Sequence, residues 1–271
     1  MKEITKADIS LPKRNPFSHK GDFGRVLLIC GSKKYTGAAY FAAEAAVNAG
    51  SGLVFLAVPG KIRPILAAKL NEPILVSRRT KSTGFDATLF GCGVGLSRES
   101  LRILKRELSA EGAPLVLDAD AITLMARHGI LPRCAKRELV LTPHEGEFKR
   151  LVPDFSNDRR EEAARNFAKE MGCILVLKGH RTVTASPDGD VFINTTGNSG
   201  MAKGGSGDVL AGIITSLIGQ GIPPKKAAYT GVWLHGAAGD MACEAFGEYS
   251  MTPTDMLRCL KSTICEVPKS D

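Results

Sequence analysis

The sequence of 271 residues predicts a layered α/β fold with a largely parallel central sheet flanked by helices. Short apolar runs alternate with helix-compatible segments along most of the chain. Arg25–Gly31 is mainly apolar and ends in glycine, as strands buried on both faces of a parallel sheet do. The alanine-rich stretch Thr36–Asn48 follows it, and alanine favours helix and allows close packing on a sheet. We expect a short helix before this first strand.

The later elements repeat this alternation. Six further strands are predicted, in chain order, at Leu53–Val58, Ile74–Ser77, Ala87–Cys92, Leu115–Asp118, Leu139–Thr142 and Ile174–Lys178. A small hairpin near the sheet edge is predicted from Thr182–Ala185 and Val191–Asn194. From Ser206 onward we expect helices. Because no low-complexity linker or internal repeat interrupts the pattern, a single domain spanning residues 1–271 is predicted.

Composition narrows the class of partner. The formal net charge of +8 favours anionic ligands. Basic pairs are scattered and are not interleaved with aromatic residues, so nucleic-acid binding is not expected. Seven cysteines without a CxxC pair indicate reduced, mostly buried thiols. No apolar run approaches the roughly 18–20 residues that span a bilayer, and no signal peptide is evident, so a cytoplasmic protein without membrane contact is expected.

The segment Asn198–Asp208 concentrates glycines just before the apolar, helix-compatible run Val209–Ile218. Glycines at positive φ let backbone N–H groups approach a ligand, and the helix that follows points its positive end at the same place. A carboxylate beside such an anion site repels the anion unless it accepts a proton or holds a metal. Asp208 therefore suggests phosphoryl transfer to a hydroxyl, although it could also be only the cap of the helix.

Two common nucleotide motifs are absent. No stretch matches the Walker A loop, and the glycines at 91, 93 and 95 do not form GxGxxG.

Polar residues instead follow several predicted strands, where open α/β sheets bind ligands. Asp118 and Asp120 offer the oxygen ligands that suit Mg²⁺, or could serve as helix caps. His144 lies on a rigid turn close to Glu147 and could contact a substrate, although a lone histidine is usually structural. Lys178 could meet a phosphate or adenine.

In their order, these motifs resemble the ADP- or ATP-dependent NAD(P)H-hydrate dehydratases, a branch of the ribokinase-like superfamily. The resemblance spans nearly the whole chain and rests on Gly24–Ser32, Tyr35–Ala39, Leu117–Ala121, Leu141–Glu147, Lys178–Gly179 and Asn198–Gly212. It implies a ribokinase-like fold and repair of NADHX and NADPHX, the hydrated forms of the reduced nicotinamide cofactors. A nucleotide would phosphorylate the C6 hydroxyl, and phosphate would then leave. Relatives often form homotetramers, and the separate epimerase activity of some members is not expected here.

The resemblance also implies site residues. Asp208 would be the catalytic base. The substrate would contact Ala39, Gly95, His144 and Asp208. The adenine nucleotide, ADP or ATP, would contact Lys178, Gly179, His180, Arg181, Thr182, Gly205, Ser206 and Gly207. Mg²⁺ would be held by Glu147 through water, with Asp118 a second candidate. Lys203 departs from the family pattern, and we expect it to touch phosphate or to point into solvent.

Two other functions remain open from the sequence. The glycine loop would also serve an alcohol kinase of the same superfamily, acting on a thiazole or pyrimidine alcohol. A non-catalytic nucleotide sensor would bind adenylate and a partner protein, and it would not need Asp208.

Overall fold

The computed structural model describes residues 1–270 and contains one ten-stranded sheet and one two-stranded sheet. The strands are β1 (Lys2–Ile4), β2 (Leu11–Pro12), β3 (Arg25–Ile29), β4 (Leu53–Val58), β5 (Ile74–Ser77), β6 (Ala87–Phe90), β7 (Leu115–Leu117), β8 (Leu139–Leu141), β9 (Ile174–Leu177), β10 (Val183–Ala185), β11 (Val191–Asn194) and β12 (Lys269–Ser270). The helices are α1 (Thr36–Asn48), α2 (Arg63–Ala67), α3 (Arg98–Ser109), α4 (Asp120–Arg127), α5 (Glu145–Leu151), α6 (Arg160–Met171), α7 (Ser206–Gly219), α8 (Pro224–Ser250) and α9 (Pro253–Glu266). None of the helices in residues 1–270 is long and apolar enough to cross a membrane.

The large sheet has the strand order β1-β11-β10-β9-β8-β7-β6-β3-β4-β5. Neighbouring strands are parallel except where β10 pairs with β9 and with β11. This confirms the predicted layered fold with a largely parallel sheet.

Both faces of the sheet are covered, as the apolar strands require. In β3, Val26 and Leu28 face the layer that contains α1, α7 and α8, whereas Leu27 and Ile29 face the layer of α3, α4, α5 and α6. This alternation explains why the strand sequences are apolar at nearly every position. The sheet is thus the middle of three layers. Because helices cover both of its faces, we expect a ligand site at the ends of the strands.

Small side chains bring α7 close to α1. A Cβ on Gly212 of α7 would lie 2.3 Å from the Ala42 carbonyl oxygen and 2.8 Å from the Ala45 Cβ. Only glycine fits at this contact, and the alanines of α1 provide the matching flat surface. The close contact fixes where α7 begins, and Asp208 lies in its first turn.

The predicted N-terminal helix is wrong. Lys2–Ile4 is an edge strand that pairs in parallel with β11, and only two short 3₁₀ segments, Lys6–Asp8 and Lys20–Phe23, are helical before β3. The strand forms because Ile4 is buried against the core, a partnership with residues near 194 that local sequence cannot show. The hairpin of β10 and β11 therefore lies one strand inside the edge.

We expect Gly212→Ala to lower the free energy of unfolding by about 1–3 kcal/mol, because the added methyl group overpacks the contact between α1 and α7. Urea denaturation measures the change. Gly37→Ala in α1 is the matched control, since its Cβ would meet only a Phe41 ring carbon at 3.9 Å. That variant should keep or raise stability, because alanine favours helix over glycine by up to about 1 kcal/mol. Equal stability of the two variants would contradict the assigned packing.

Candidate active site

Four adjacent parallel strands deliver polar residues to one edge of the sheet. The strands β6, β7, β8 and β9 are neighbours, so their carboxyl ends lie side by side. Cys92, Asp118, His144 and Lys178 follow these four strands in turn. The predicted grouping of strand-end residues is therefore present, and Cys92 joins it.

A buried ion pair forms the centre of this group. Lys178 Nζ lies 2.7 Å from Asp118 Oδ1, and the two side chains are 18% and 2% exposed. Burial disfavours the charged ammonium, but Asp118 and then Glu147 outweigh it and raise the pKa of Lys178. Ala119, directly after Asp118, has φ 51° and ψ −113°, a strained conformation for alanine that turns the chain from β7 into α4.

The start of α7 lies directly over this ion pair. A Cβ on Gly207 would lie 3.3 Å from Lys178 Nζ and 3.8 Å from Asp118 Oδ2. Gly205 precedes the helix at φ 107°, where a Cβ would also come within 2.7 Å of the Phe41 ring. Glycine is thus required at 205 by both conformation and space.

The first turn of α7 presents free backbone donors. The amides of Gly207 and Asp208 have no acceptor among residues 1–270. The Ser206 amide, in contrast, donates to the Lys203 carbonyl oxygen at 3.2 Å. Of the three amides predicted to bind an anion, those of Gly205 and Gly207 thus have no acceptor among residues 1–270, whereas that of Ser206 is used within the turn.

Asp208 is close to a second carboxylate. One carboxylate oxygen each of Asp208 and Asp118 and the Cys92 sulfur lie within 4.8 Å of one another. Burial and then the negative charge of Asp118 raise the pKa of Asp208 to about 7, although Cys92 and Lys178 oppose the shift. Asp208 therefore changes protonation close to neutral pH, which suits a residue that accepts a proton.

Cys92 is the site residue that sequence reasoning missed. Its sulfur lies 3.7 Å from Asp118 Oδ2 and donates to it. Contact with Cys30 and burial raise the pKa of the Cys92 thiol well above its usual value, so the thiol keeps its proton. Its position between Gly91 and Gly93 at a strand end was the signal that could have identified it.

His235 of α8 is a second site residue that sequence reasoning missed, and nothing in the local sequence points to it. Burial lowers its pKa to about 4, and nearby Lys178 lowers it further against an opposing interaction with the Ser206 backbone. The ring is therefore neutral, and its buried Nε2 atom has no hydrogen-bond partner in the described part of the chain.

His144 and Glu147 form a helix cap. His144 Nδ1 accepts hydrogen bonds from the amides of Gly146 and Glu147, at 3.0 and 3.3 Å, and Glu147 Oε2 accepts one from the His144 amide at 3.0 Å. The side chain of His144 is 55% exposed, which leaves ring surface for a ligand. Glu147 is buried but is not part of the group formed by Asp208, Asp118 and Cys92.

The other predicted substrate residues differ in accessibility. Gly95 is partly exposed, its amide donates to Asp120 Oδ2 at 2.8 Å, and a Cβ there would meet nothing within 4 Å. Ala39 has no exposed surface, because it packs in the core beneath Gly31. Ala39 therefore does not line the site in this arrangement.

Hydrogen bonds and an ion pair hold the predicted nucleotide loop that follows β9. Thr182 Oγ1 donates to the Gly179 carbonyl oxygen at 3.0 Å, and Arg160 donates to the His180 carbonyl oxygen at 3.2 Å. Arg181 is paired with Glu3 of the edge strand. His180 and Gly179 are exposed, whereas the Lys178 side chain turns into the ion pair.

The Lys203 side chain is partly exposed but does not extend freely into solvent, so that expectation was wrong, whereas contact with phosphate stays a prediction. Its ammonium donates to the carbonyl oxygens of Tyr249 and Met251, both at 2.6 Å. Asp240 of α8 accepts from the Gly197 amide and the Asn198 side chain. These contacts hold the start and the middle of the glycine-rich segment Asn198–Asp208 in place.

A family model described as NAD(P)H-hydrate dehydratase matches residues 26–262. The chain belongs to the NAD(P)H-hydrate dehydratase family. It is 43% identical over 267 residues to the bifunctional NAD(P)H-hydrate repair enzyme Nnr of Moorella thermoacetica, covering 91% of this chain and 50% of that enzyme. It is 38% identical over 240 residues to the ADP-dependent (S)-NAD(P)H-hydrate dehydratase of Neisseria meningitidis, covering 85% and 81%.

A solved structure agrees with this membership. The ADP/ATP-dependent NAD(P)H-hydrate dehydratase from Bacillus subtilis, co-crystallised with ATP and Mg²⁺, matches with a TM-score of 0.87, 29% identity and 96% coverage of each chain. The predicted ribokinase-like fold is confirmed. The chain spans about half the length of the first relatives, which are bifunctional repair enzymes.

The raised pKa of Asp208 predicts a pH-dependent effect on stability. The unfolded carboxyl ionises near 3.8, whereas the folded one keeps its proton to about pH 7. Between these values the folded state holds the extra proton, so its stability falls as pH rises. We expect Asp208→Asn to raise the free energy of unfolding by about 2–4 kcal/mol at pH 8 and by little near pH 4.

Thermal denaturation at both pH values measures this effect. Asp154→Asn, the same change at an exposed position, is the control and should be neutral at both. An Asp208→Asn effect of equal size at pH 4 and pH 8 would contradict the assigned pKa.

Proposed function

We propose that this protein dehydrates NADHX and NADPHX to NADH and NADPH by way of a phosphorylated intermediate, with ADP or ATP as the phosphoryl donor. The observation that carries the proposal is Asp208, a carboxyl that titrates near pH 7 beside two free amides at the start of α7. The family membership supports the same reaction, as do the names of its relatives.

In the first step the oxygen of the C6 hydroxyl attacks the terminal phosphorus of the nucleotide, and Asp208 accepts the proton of that hydroxyl. The bond between the terminal phosphorus and the rest of the nucleotide breaks, so ADP leaves as AMP, or ATP leaves as ADP. The amides of Gly207 and Asp208 donate to the oxygens of the transferring phosphoryl group, where charge is concentrated. The helix dipole favours the same charge.

In the second step the phosphate leaves from C6. The lone pair of the ring nitrogen N1 expels it, and transfer of the C5 proton to solvent completes the dihydronicotinamide ring. Phosphorylation is needed because hydroxide is a poor leaving group. Lys178, which is charged and partly exposed, lies where it would stabilise the departing phosphate.

Glu147 fits Mg²⁺ better than Asp118 does. Glu147 contacts only His144, whose amide donates to Oε2 and whose Nε2 lies 3.5 Å from Oε1, and it has no lysine or arginine partner among residues 1–270, whereas Asp118 Oδ1 is bound by Lys178 and Oδ2 by Cys92. Mg²⁺ is usually held by one or two carboxylates together with waters and substrate phosphates. Glu147 would thus hold the ion through water, and the ion would offset nucleotide charge.

Incubation with NADHX and ADP should restore the absorbance of the reduced nicotinamide and release inorganic phosphate. ATP in place of ADP, and NADPHX in place of NADHX, resolve the nucleotide and substrate preferences in the same assay. Accumulation of a stable phosphorylated alcohol would instead indicate a kinase. No change with either nucleotide would reject the proposal.

Asp208→Asn should lower kcat by on the order of 10²-fold or more, because the proton acceptor is lost. The affinity for ADP, measured by calorimetry, should stay largely unchanged. Asp154→Asn again serves as the control and should keep full activity. Retention of activity in Asp208→Asn would favour a role such as nucleotide sensing.

The rate should fall below about pH 7, because Asp208 must be ionised to accept the proton. Cys92→Ala removes a neighbour that lowers the pKa of Asp208, so the acid limb of the kcat profile should move to higher pH. Cys92→Ser keeps a donor at this position and should restore the limb. Identical acid limbs in Cys92→Ala and wild type would contradict this role of the thiol.

We also propose a single-domain, cytoplasmic protein that assembles as a homotetramer, as the family resemblance implies. Light scattering on the purified protein tests the oligomeric state.

A further inference from the structure

A basic cavity lies at the carboxyl ends of the strands, as Asp208 does, but nearer to β4 and β5. Its volume is about 320 Å³, and it is formed where β4 and β5 end. Three arginines, Arg63, Arg78 and Arg79, line it together with Glu99, the only carboxylate among its lining residues. The cavity therefore carries an excess of positive charge.

Most of this charge is not neutralised by the protein. Neither the Arg63 nor the Arg79 guanidinium has a hydrogen bond or ion pair with any of residues 1–270, and the buried Nε of Arg63 has no partner. Arg78 is 8% exposed, and its Nε is also without a partner. Its Nη1 atom lies 3.9 Å from Glu99, too far for a hydrogen bond. Buried donors without partners are costly, and arginine is suited to bidentate binding of phosphate.

Arg78 joins the cavity to the candidate active site. Its Nη2 atom donates to the Val94 carbonyl oxygen at 2.8 Å and to Ser100 Oγ at 3.0 Å. Val94 lies in the turn that ends at Gly95, whose amide is bonded to Asp120. In the strand order, β6 with Cys92 is separated from β5 by three strand spacings, or about 14 Å.

We propose that this arginine cavity binds a phosphate group of the dinucleotide substrate. The inference rests on the function proposed above, in which the hydrated ring reacts at Asp208. The diphosphate of the substrate is one ribose away from that ring, and NADPHX carries a further 2′-phosphate. The phosphoryl donor would occupy the opposite side, at the loop after β9, so the side toward β4 and β5 is left for the substrate.

Arg63→Ala and Arg79→Ala test the proposal. Both leave Arg78 in place, because Arg78 also holds the Val94 turn. Each variant should raise the KM for the hydrate by about 10- to 100-fold, with kcat and the KM for ADP nearly unchanged. Arg133→Ala is the control: it removes one exposed arginine between α4 and β8, at the opposite edge of the sheet, and should change none of these constants.

Comparison of the KM values for NADHX and NADPHX distinguishes a site for the diphosphate from a site for the 2′-phosphate. An equal rise of KM for NADHX and NADPHX supports a diphosphate site, and a rise for NADPHX alone supports a 2′-phosphate site. Unchanged KM values for both substrates in both correctly folded variants would overturn the proposal while leaving the dehydratase function intact.

A binding measurement keeps the test independent of turnover. Calorimetric titration of NADPH and NADH into wild-type protein, Arg63→Ala and Arg63→Lys needs no reaction. The alanine variant should bind one or both more weakly by a similar factor, and the lysine variant should recover part of the affinity. Equal affinities in all three proteins would overturn the inference, whereas absence of dehydration by wild-type protein would overturn the proposed function.

Discussion

The arrangement of the site depends on the buried ion pair between Asp118 and Lys178. It joins the ends of β7 and β9 across β8 and lies directly beneath the first turn of α7. Loss of one partner of such a pair leaves an uncompensated buried charge, which costs about 3–5 kcal/mol. The two partners shift the pKa of Asp208 in opposite directions, since Asp118 raises it and Lys178 lowers it. The same contact thus bears on the geometry of the site and, together with burial, on the protonation of Asp208.

The start of α7 combines two features that oppose each other. Free amides and the helix dipole attract an anion, while Asp208 in the same turn repels it when ionised. A proton removes the conflict. In the proposed reaction an arriving phosphate would raise the proton affinity of Asp208 further, and the hydroxyl that attacks this phosphate would release a proton at the same moment. The carboxyl would therefore become neutral as negative charge moves onto the transferring group.

The strand positions could be predicted well, and their errors follow a pattern. The bounds of α1, β4 and β5 are as predicted, whereas the predicted strands ending at Cys92, Asp118, Thr142 and Lys178 stop one or two residues earlier. Those residues leave the sheet and belong to or border the site, a change that apolar patterning does not detect. The N-terminal strand and His235 depend on partners distant in sequence. Local reasoning therefore could not assign them.

The net charge of the chain is +8, and its charged residues are unevenly distributed along the carboxyl ends of the strands. At β9, Lys178 is committed to Asp118, and in the middle two carboxylates keep the site close to neutral. At β4 and β5, the arginines exceed the carboxylates. In the proposed reaction the hydroxyl would react beside carboxylates that can accept its proton, and the strongest attraction for phosphate would lie to one side of it. A polyanionic ligand would then be held without a further positive charge beside Asp208, where Lys178 already lowers the pKa and another charge would weaken the base.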